Sequence, residues 1–335
     1  MTTMTEANPF QTLIQLAGGA CLPRSLHVVA ELGVADALDE EPKTPAQLAA
    51  AVKANEDALA RVLRLLSAYG VFQVEGGKVR HTPASRLLQS DHPHSMRPLG
   101  RMFGLYMNWN VYSEFEYSVR TGDPGTKKTL PEGFWEYFRE HPDAGRIFNE
   151  AMAAKAQTQV PAVVAGYDFS HFKTIADIGG GRGHLLQAVL EANPSARGVL
   201  FDLPNVTQDA ARVASERLTL QAGDFFKDPL PKADCYLIME VIHDWADKES
   251  LAIFQAIRKA APPGAKLLVI EQMVPDDNLP HWSKMLDIHM LALLGGKQRT
   301  REEYTALLRP AGFKVLREIP TRSDVSILEA EAGGA

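Results

Sequence analysis

The sequence predicts an α/β fold, and three observations predict it. Residues 172–331 alternate short apolar runs with helical stretches, the grammar of a parallel sheet covered by helices. One run, Thr174-Ile175-Ala176-Asp177-Ile178, passes straight into a glycine loop, Gly179-Gly180-Gly181-Arg182-Gly183, and then into a helical stretch. Residues 10–165 instead show helical periodicity and almost no strand runs, so a separate, mainly helical domain precedes the sheet.

Bulk properties fit this division. The chain has 335 residues, enough for two domains at roughly 150 residues each. With 45% hydrophobic and 23% charged residues, it is neither disordered nor fibrous. A net charge of −6 gives no electrostatic footprint for a nucleic-acid backbone. No apolar run is expected to reach the roughly 18 residues of a membrane span. Residues 1–10 lack the basic and apolar regions of a signal peptide. Cys21 and Cys235 lie far apart and make neither a disulfide framework nor a zinc site, so the expected compartment is the reducing cytoplasm.

In the helical half, residues 11–33 are apolar and alanine-rich, which predicts a buried helix pair. Thr44-Pro45-Ala46-Gln47 starts a helix: Thr44 caps, Pro45 fits the first helical position and Gln47 closes a capping box. A second helix begins near Asn55 and carries Leu59, Val62, Leu63 and Leu66 at helical spacing toward Tyr69. Two short strands around Gly76-Gly77 then make a hairpin. Helix, helix, hairpin is the order of a winged helix. Its DNA-reading helix would carry Arg61 and Arg64, but also Glu56 and Asp57, over an apolar opposite face. Packing or dimerisation fits it better than DNA. Two aromatic clusters follow, with Phe103, Tyr106, Met107, Trp109, Tyr112 and Phe115 in one, and Phe134, Trp135, Tyr137 and Phe138 in the other. Composition fits core alone and core plus an aromatic-lined pocket equally well.

In the sheet half, the glycine loop marks a nucleotide-type site at a helix N-terminus. The dinucleotide pattern G-x-G-x-x-G would need glycine at 184, where His184 stands. Asp177 puts negative charge beside the loop. That repels a pyrophosphate and attracts the sulfonium and ammonium of S-adenosylmethionine. The second strand ends in Asp202, 21 positions after Gly181, where a carboxylate can accept both ribose hydroxyls. The third leads into Gly223-Asp224-Phe225-Phe226, with Asp224 suited to an adenine amino group and Phe225 to its ring. Ligands of open α/β sheets bind at these carboxyl ends. The fourth strand, expected over residues 235–242, ends in His243-Asp244-Trp245, and the fifth, 266–270, in Glu271. Histidine suits proton removal near neutral pH, and a carboxylate can orient it. Strands over 313–319 and 325–329 close the chain, the last one antiparallel.

With these motifs in view, the chain resembles the S-adenosylmethionine-dependent O-methyltransferases of the plant caffeate and hydroxyindole type and their bacterial small-molecule relatives. Asp177-Ile178-Gly179-Gly180-Gly181-Arg182-Gly183, Phe201-Asp202-Leu203-Pro204, Gly223-Asp224-Phe225-Phe226 and Ile242-His243-Asp244-Trp245 carry the likeness. Glu271, Asp287-Ile288-His289-Met290 and Gly295-Gly296-Lys297-Gln298-Arg299-Thr300 continue it in the family's order. The resemblance implies a Rossmann-like methyltransferase sheet with an antiparallel last strand and an N-terminal winged-helix dimerisation domain. It implies a dimerisation domain over 1–100, linking helices over 101–165 that contribute to the acceptor pocket, and a donor-binding domain over 166–335. It implies His243 as the base and Glu271 as its orienting carboxylate. Donor contacts fall on Asp177, Gly179, Gly180, Gly181, Asp202, Leu203, Gly223, Asp224 and Phe225. Acceptor contacts fall on Met107, Asn108, Met152, Asp244 and Met290. The implied partners are a small hydroxylated acceptor and a second copy of the chain, with no metal, nucleic acid or membrane. Plant members carry a second glutamate at the position of Gln298, and a lysine beside the adenine pocket at the position of Met239. A nicotinamide-dependent oxidoreductase, a hydroxylase that keeps the same donor and a ligand-sensing regulator are the rival readings.

Overall fold

A computed structural model describes residues 8–334. Of residues 1–10, read above for a leader, 1–7 lie outside the described residues, as does Ala335. The chain divides into two compact units. One reaches Trp109 and takes in Phe138–Lys155; the other comprises Asn110–Tyr137 and the chain from Ala156 onward. The long helix Pro142–Gly166 begins in the first and ends in the second.

In the first unit, helix Pro45–Ala51 starts with the capping box of Thr44 and Gln47, and Asn55 caps helix Glu56–Ala68. Strands β1 (Phe72–Glu75) and β2 (Lys78–His81) pair antiparallel, Phe72 opposite His81. Gly76 and Gly77 between them both take positive φ, +56° and +74°, as the tight turn demands. Leu48, Leu63, Leu66, Phe72 and Val79 fill a core under this hairpin. Arg61 is exposed and paired with Asp57.

The expected buried helix pair is corrected. Helix Cys21–Leu32 buries His27, Val29 and Ala30, but helix Pro9–Ala17 buries nothing. Leu13 and Leu16 stand 67% and 73% exposed, because no element among the described residues packs over them. The expectation of no membrane-length apolar run is corrected too. By length and composition Pro9–Leu32 is apolar enough to qualify; the structure breaks it into these two helices at a turn over 18–20.

The second unit is built on a seven-stranded sheet. Its strands are β3 (Thr174–Ile178), β4 (Arg197–Asp202), β5 (Leu218–Ala222), β6 (Cys235–Met239), β7 (Lys266–Glu271), β8 (Phe313–Pro320) and β9 (Ser326–Ala332). The order is β5-β4-β3-β6-β7-β9-β8; the first five run parallel, and β9 runs antiparallel to both its neighbours. Leu237, Ile238, Leu267, Leu268, Val269 and Ile270 are wholly buried, as strands covered on both faces require. The order reverses between β3 and β6, so the carboxyl ends of these two strands flank the switch point where such sheets bind ligands. The fourth strand stops three residues earlier than expected. Glu240 takes φ +50°, which ends the ladder, and Ile242–Asp244 coils into one 3-10 turn. Val241 and Ile242 look strand-like because they are apolar, but Ile242 is buried from within that turn.

Candidate active site

The glycine loop leaves β3 with Gly179, Gly181 and Gly183 at φ +68°, +57° and +77°. Gly183 caps helix His184–Ala192, whose Leu185, Leu186, Val189 and Leu190 anchor it in the core. A side chain at Gly180 would collide with Leu200 and lie 2.6 Å from the Asp177 carboxyl, and one at Gly223 would lie 2.7 Å from the Phe201 ring. At Gly181 the space is open. The loop is therefore packed tightly from below and accessible from above, a backbone cradle that only glycine permits.

Asp202 ties the ends of β3 and β4 together. Its Oδ2 accepts the Gly181 N–H at 2.8 Å and its Oδ1 the Leu203 N–H at 2.7 Å. Burial pushes its pKa up, against these two hydrogen bonds. Asp177 is buried beneath the loop, and neither of its oxygens has a hydrogen-bond partner. Burial first, and the Asp202 charge second, push it up to about 7. Two neighbouring carboxyls, one of them without a hydrogen-bond partner, put acidic groups beneath the loop, where a cationic ligand is favoured over an anionic one. This chemistry fits the sulfonium and ammonium of S-adenosylmethionine. Asp224, after β5, accepts the Phe226 N–H at 2.9 Å and pairs with Lys227 at 2.8 Å, which hold it below the usual carboxylate range. Phe225 stands edge-on to Phe226 and Trp245.

On the far side of the switch point, His243 occupies the 3-10 turn and is almost fully buried. Its Nδ1 lies 2.8 Å from Oε2 of Glu271, a wholly buried residue at the end of β7. A carboxylate only accepts, so Nδ1 carries the hydrogen, and the neutral ring presents its lone pair at Nε2. Nε2 lies 3.4 Å from Asp244 Oδ1. Burial alone would lower the imidazole pKa. The charges of Glu271 and Asp244 and the hydrogen bond to Glu271 outweigh it and raise the value to about 9.

The second unit thus holds every donor-side residue named from the sequence, together with His243, Glu271, Asp244 and Met290. Met290 is buried on helix Trp282–Leu293. Met107, Asn108 and Met152 belong to the first unit. There Met107 and Asn108 are buried, Asn108 donates to the Met102 carbonyl at 2.6 Å, and Met152 packs beside Met102, Ile147 and Ala151. Sequence reasoning gave no role to Glu240, which accepts from Gln272 at 2.7 Å, and none to Arg299, which it quotes within a motif and which is buried. It also missed the Tyr112 hydroxyl, 3.1 Å from His289, whose pKa burial pushes down to about 4. The motif marks the position of Arg299, but nothing in its spacing signals the carbonyls that its buried side chain meets.

Comparison with known proteins places this geometry. A family model described as the O-methyltransferase domain matches residues 112–314, and one described as the O-methyltransferase dimerisation domain matches residues 14–91. The chain is 40% identical to the phenazine O-methyltransferase of Lysobacter antibioticus over 95% of each chain. It is 36% identical to the mitomycin biosynthesis 6-O-methyltransferase of Streptomyces lavendulae, over 95% of this chain and 93% of that one. Among solved structures it is similar to an O-methyltransferase from neocarzinostatin biosynthesis in complex with S-adenosylmethionine and 2-hydroxy-5-methyl naphthoic acid. That match has a TM-score of 0.78 and 32% identity, and covers 93% of this chain and 96% of that one. A glycine loop at the switch point, a carboxylate-held imidazole across from it and near-complete coverage by these relatives agree: the chain belongs to the S-adenosylmethionine-dependent O-methyltransferase family, with its own dimerisation domain.

Proposed function

We propose that His243 is the general base for methylation of a hydroxyl on a small, flat aromatic acceptor. The observation that carries the reading is the 2.8 Å contact between His243 Nδ1 and Glu271 at the functional edge of the sheet. When bound, S-adenosylmethionine supplies an electrophilic methyl group on a sulfonium. Asp202 and Asp224 hold its ribose and adenine, and Asp177 favours its positive charge. His243 Nε2 takes the acceptor's hydroxyl proton as the oxygen attacks. Glu271 stabilises the resulting imidazolium and fixes the ring. Holding both reactants in line supplies much of the rate.

The acceptor class rests on the relatives, which act on or bind phenazine and naphthoate compounds, and on the aromatic and methionine density over 102–152. Within the second unit, Asp244 and Met290 are its assigned contacts, by resemblance. The active form is a homodimer, supported by the dimerisation-domain match and by the bare apolar face of helix Pro9–Ala17. Residues 1–100 serve assembly, 101–165 the acceptor and 166–335 the donor. A panel of phenols, naphthols and hydroxyphenazines, incubated with methyl-labelled donor, tests the reading. Label on an aromatic oxygen supports it. Transfer confined to amines or to aliphatic alcohols contradicts it.

A further inference from the structure

His243 rides on a single 3-10 turn, an element with few hydrogen bonds of its own. Something else must hold it still. Residues 295–299 wrap around that turn. The Lys297 N–H donates to the His243 carbonyl at 2.9 Å. At Gly296 a β-carbon would overlap the same carbonyl oxygen and lie 2.7 Å from the Asp244 carbonyl carbon, so the wrap approaches as closely as a backbone can. Arg299 completes it. The side chain is fully buried; its Nη1 donates to the carbonyls of Ile242 at 3.2 Å and Lys297 at 3.1 Å, and its Nη2 to the carbonyl of Trp245 at 2.9 Å. Nε and Nη2 both reach Asp247 Oδ1, at 2.9 and 2.8 Å. Carbonyls on both sides of the His243-Asp244 pair are thereby pinned to one rigid, planar fork. Lysine, a point charge on a flexible stem, cannot reproduce that.

We infer that Arg299 is a positioning residue for proton transfer, holding the turn Ile242–Asp244 so that His243 keeps its contact with Glu271 and its Nε2 stays in register with the acceptor. The inference rests on His243 being the base. Three carboxylates act on the imidazole: Glu271, Asp244 and Glu240. When the turn loosens, the ring leaves Glu271, and its affinity for a proton falls with the loss of that contact.

The test uses the full chain with Arg299→Lys and Asp247→Ala, measuring kcat against pH and donor affinity by calorimetry. Arg299→Lys lowers kcat by about 10–100-fold, the scale of a misplacement near 1 Å. It leaves donor affinity unchanged and moves the pH limb of kcat to lower pH. Asp247→Ala does the same to a smaller extent. Wild-type kcat in Arg299→Lys overturns the inference. So does a loss of kcat with the limb unmoved, the signature of a role in stability alone. If Arg299→Lys does not fold, Asp247→Ala decides by the same readouts, its side chain being 59% exposed and the substitution mild. His243→Ala, run alongside, separates the two levels: full activity there ends the base assignment itself. Lost activity in His243→Ala with an unchanged Arg299→Lys ends the positioning inference only.

Discussion

Oε2 of Glu271 accepts the Nδ1 hydrogen of His243 at 2.8 Å, while Oε1 of the same carboxylate accepts the backbone N–H groups of Ile242 and His243 at 2.9 and 3.3 Å. One buried side chain at the end of β7 therefore fixes both the ring and the backbone of the proposed base.

This arrangement predicts a pH profile. With its pKa held up to about 9, His243 is mostly protonated at neutral pH, and only the neutral ring takes a proton. Turnover of a weakly acidic phenol therefore rises with pH, close to tenfold per unit below that value. Glu271→Gln removes the largest charge holding the imidazolium, so the limb moves to lower pH and the plateau falls. Measured kcat against pH for both proteins checks this; a limb that stays in place contradicts it.

Asp177 predicts proton release on donor binding. Its carboxyl, raised to about 7, is partly protonated at neutral pH. A bound cation favours the charged form and expels that proton. Calorimetry at pH 7 in two buffers of different ionisation heat should give different apparent enthalpies. With Asp177→Asn the difference should shrink. The same upward shift implies a stability contribution that is complete below about pH 4 and lost as pH rises through about 7. Donor binding should restore stability at the upper end of that window.

Asp202→Ala should weaken donor binding by about 1–3 kcal/mol, the scale of hydrogen bonds to a charged acceptor. The variant also leaves the Gly181 and Leu203 N–H groups without their partner. Unchanged affinity by calorimetry would refute the ribose assignment.

Assembly is open to a similar check. Leu13→Glu combined with Leu16→Glu places charges on the bare face of helix Pro9–Ala17. Light scattering should show a dimer for the parent chain and a shift toward monomer for the variant. A monomeric parent contradicts the assembly reading.

The sheet and the glycine loop at its carboxyl edge are legible because period, loop chemistry and order all agree there. A strand running into Gly179-Gly180-Gly181, then acids at 202 and 224, leaves few alternatives. What escaped depends on contacts no local pattern encodes. The bend at Glu240 interrupts an apolar run that reads as continuous strand. Arg299 is buried because its donors meet carbonyls that only the folded chain brings together. Helix Pro9–Ala17 looks like core by composition, yet the described residues leave it uncovered. Asp202 is legible at its strand end, but the loop N–H groups that its two oxygens hold, those of Gly181 and Leu203, come together only in the folded chain.

The general-base role of His243 is the central claim, and steady-state rates of His243→Ala across phenols of graded pKa test it most directly. The variant should keep donor affinity and lose about 10²–10⁴-fold in turnover, the usual worth of a positioned base. The loss should be greatest for poorly acidic phenols and least for those already ionised. Full activity of His243→Ala on a poorly acidic phenol would contradict the account and leave proximity as the main source of rate.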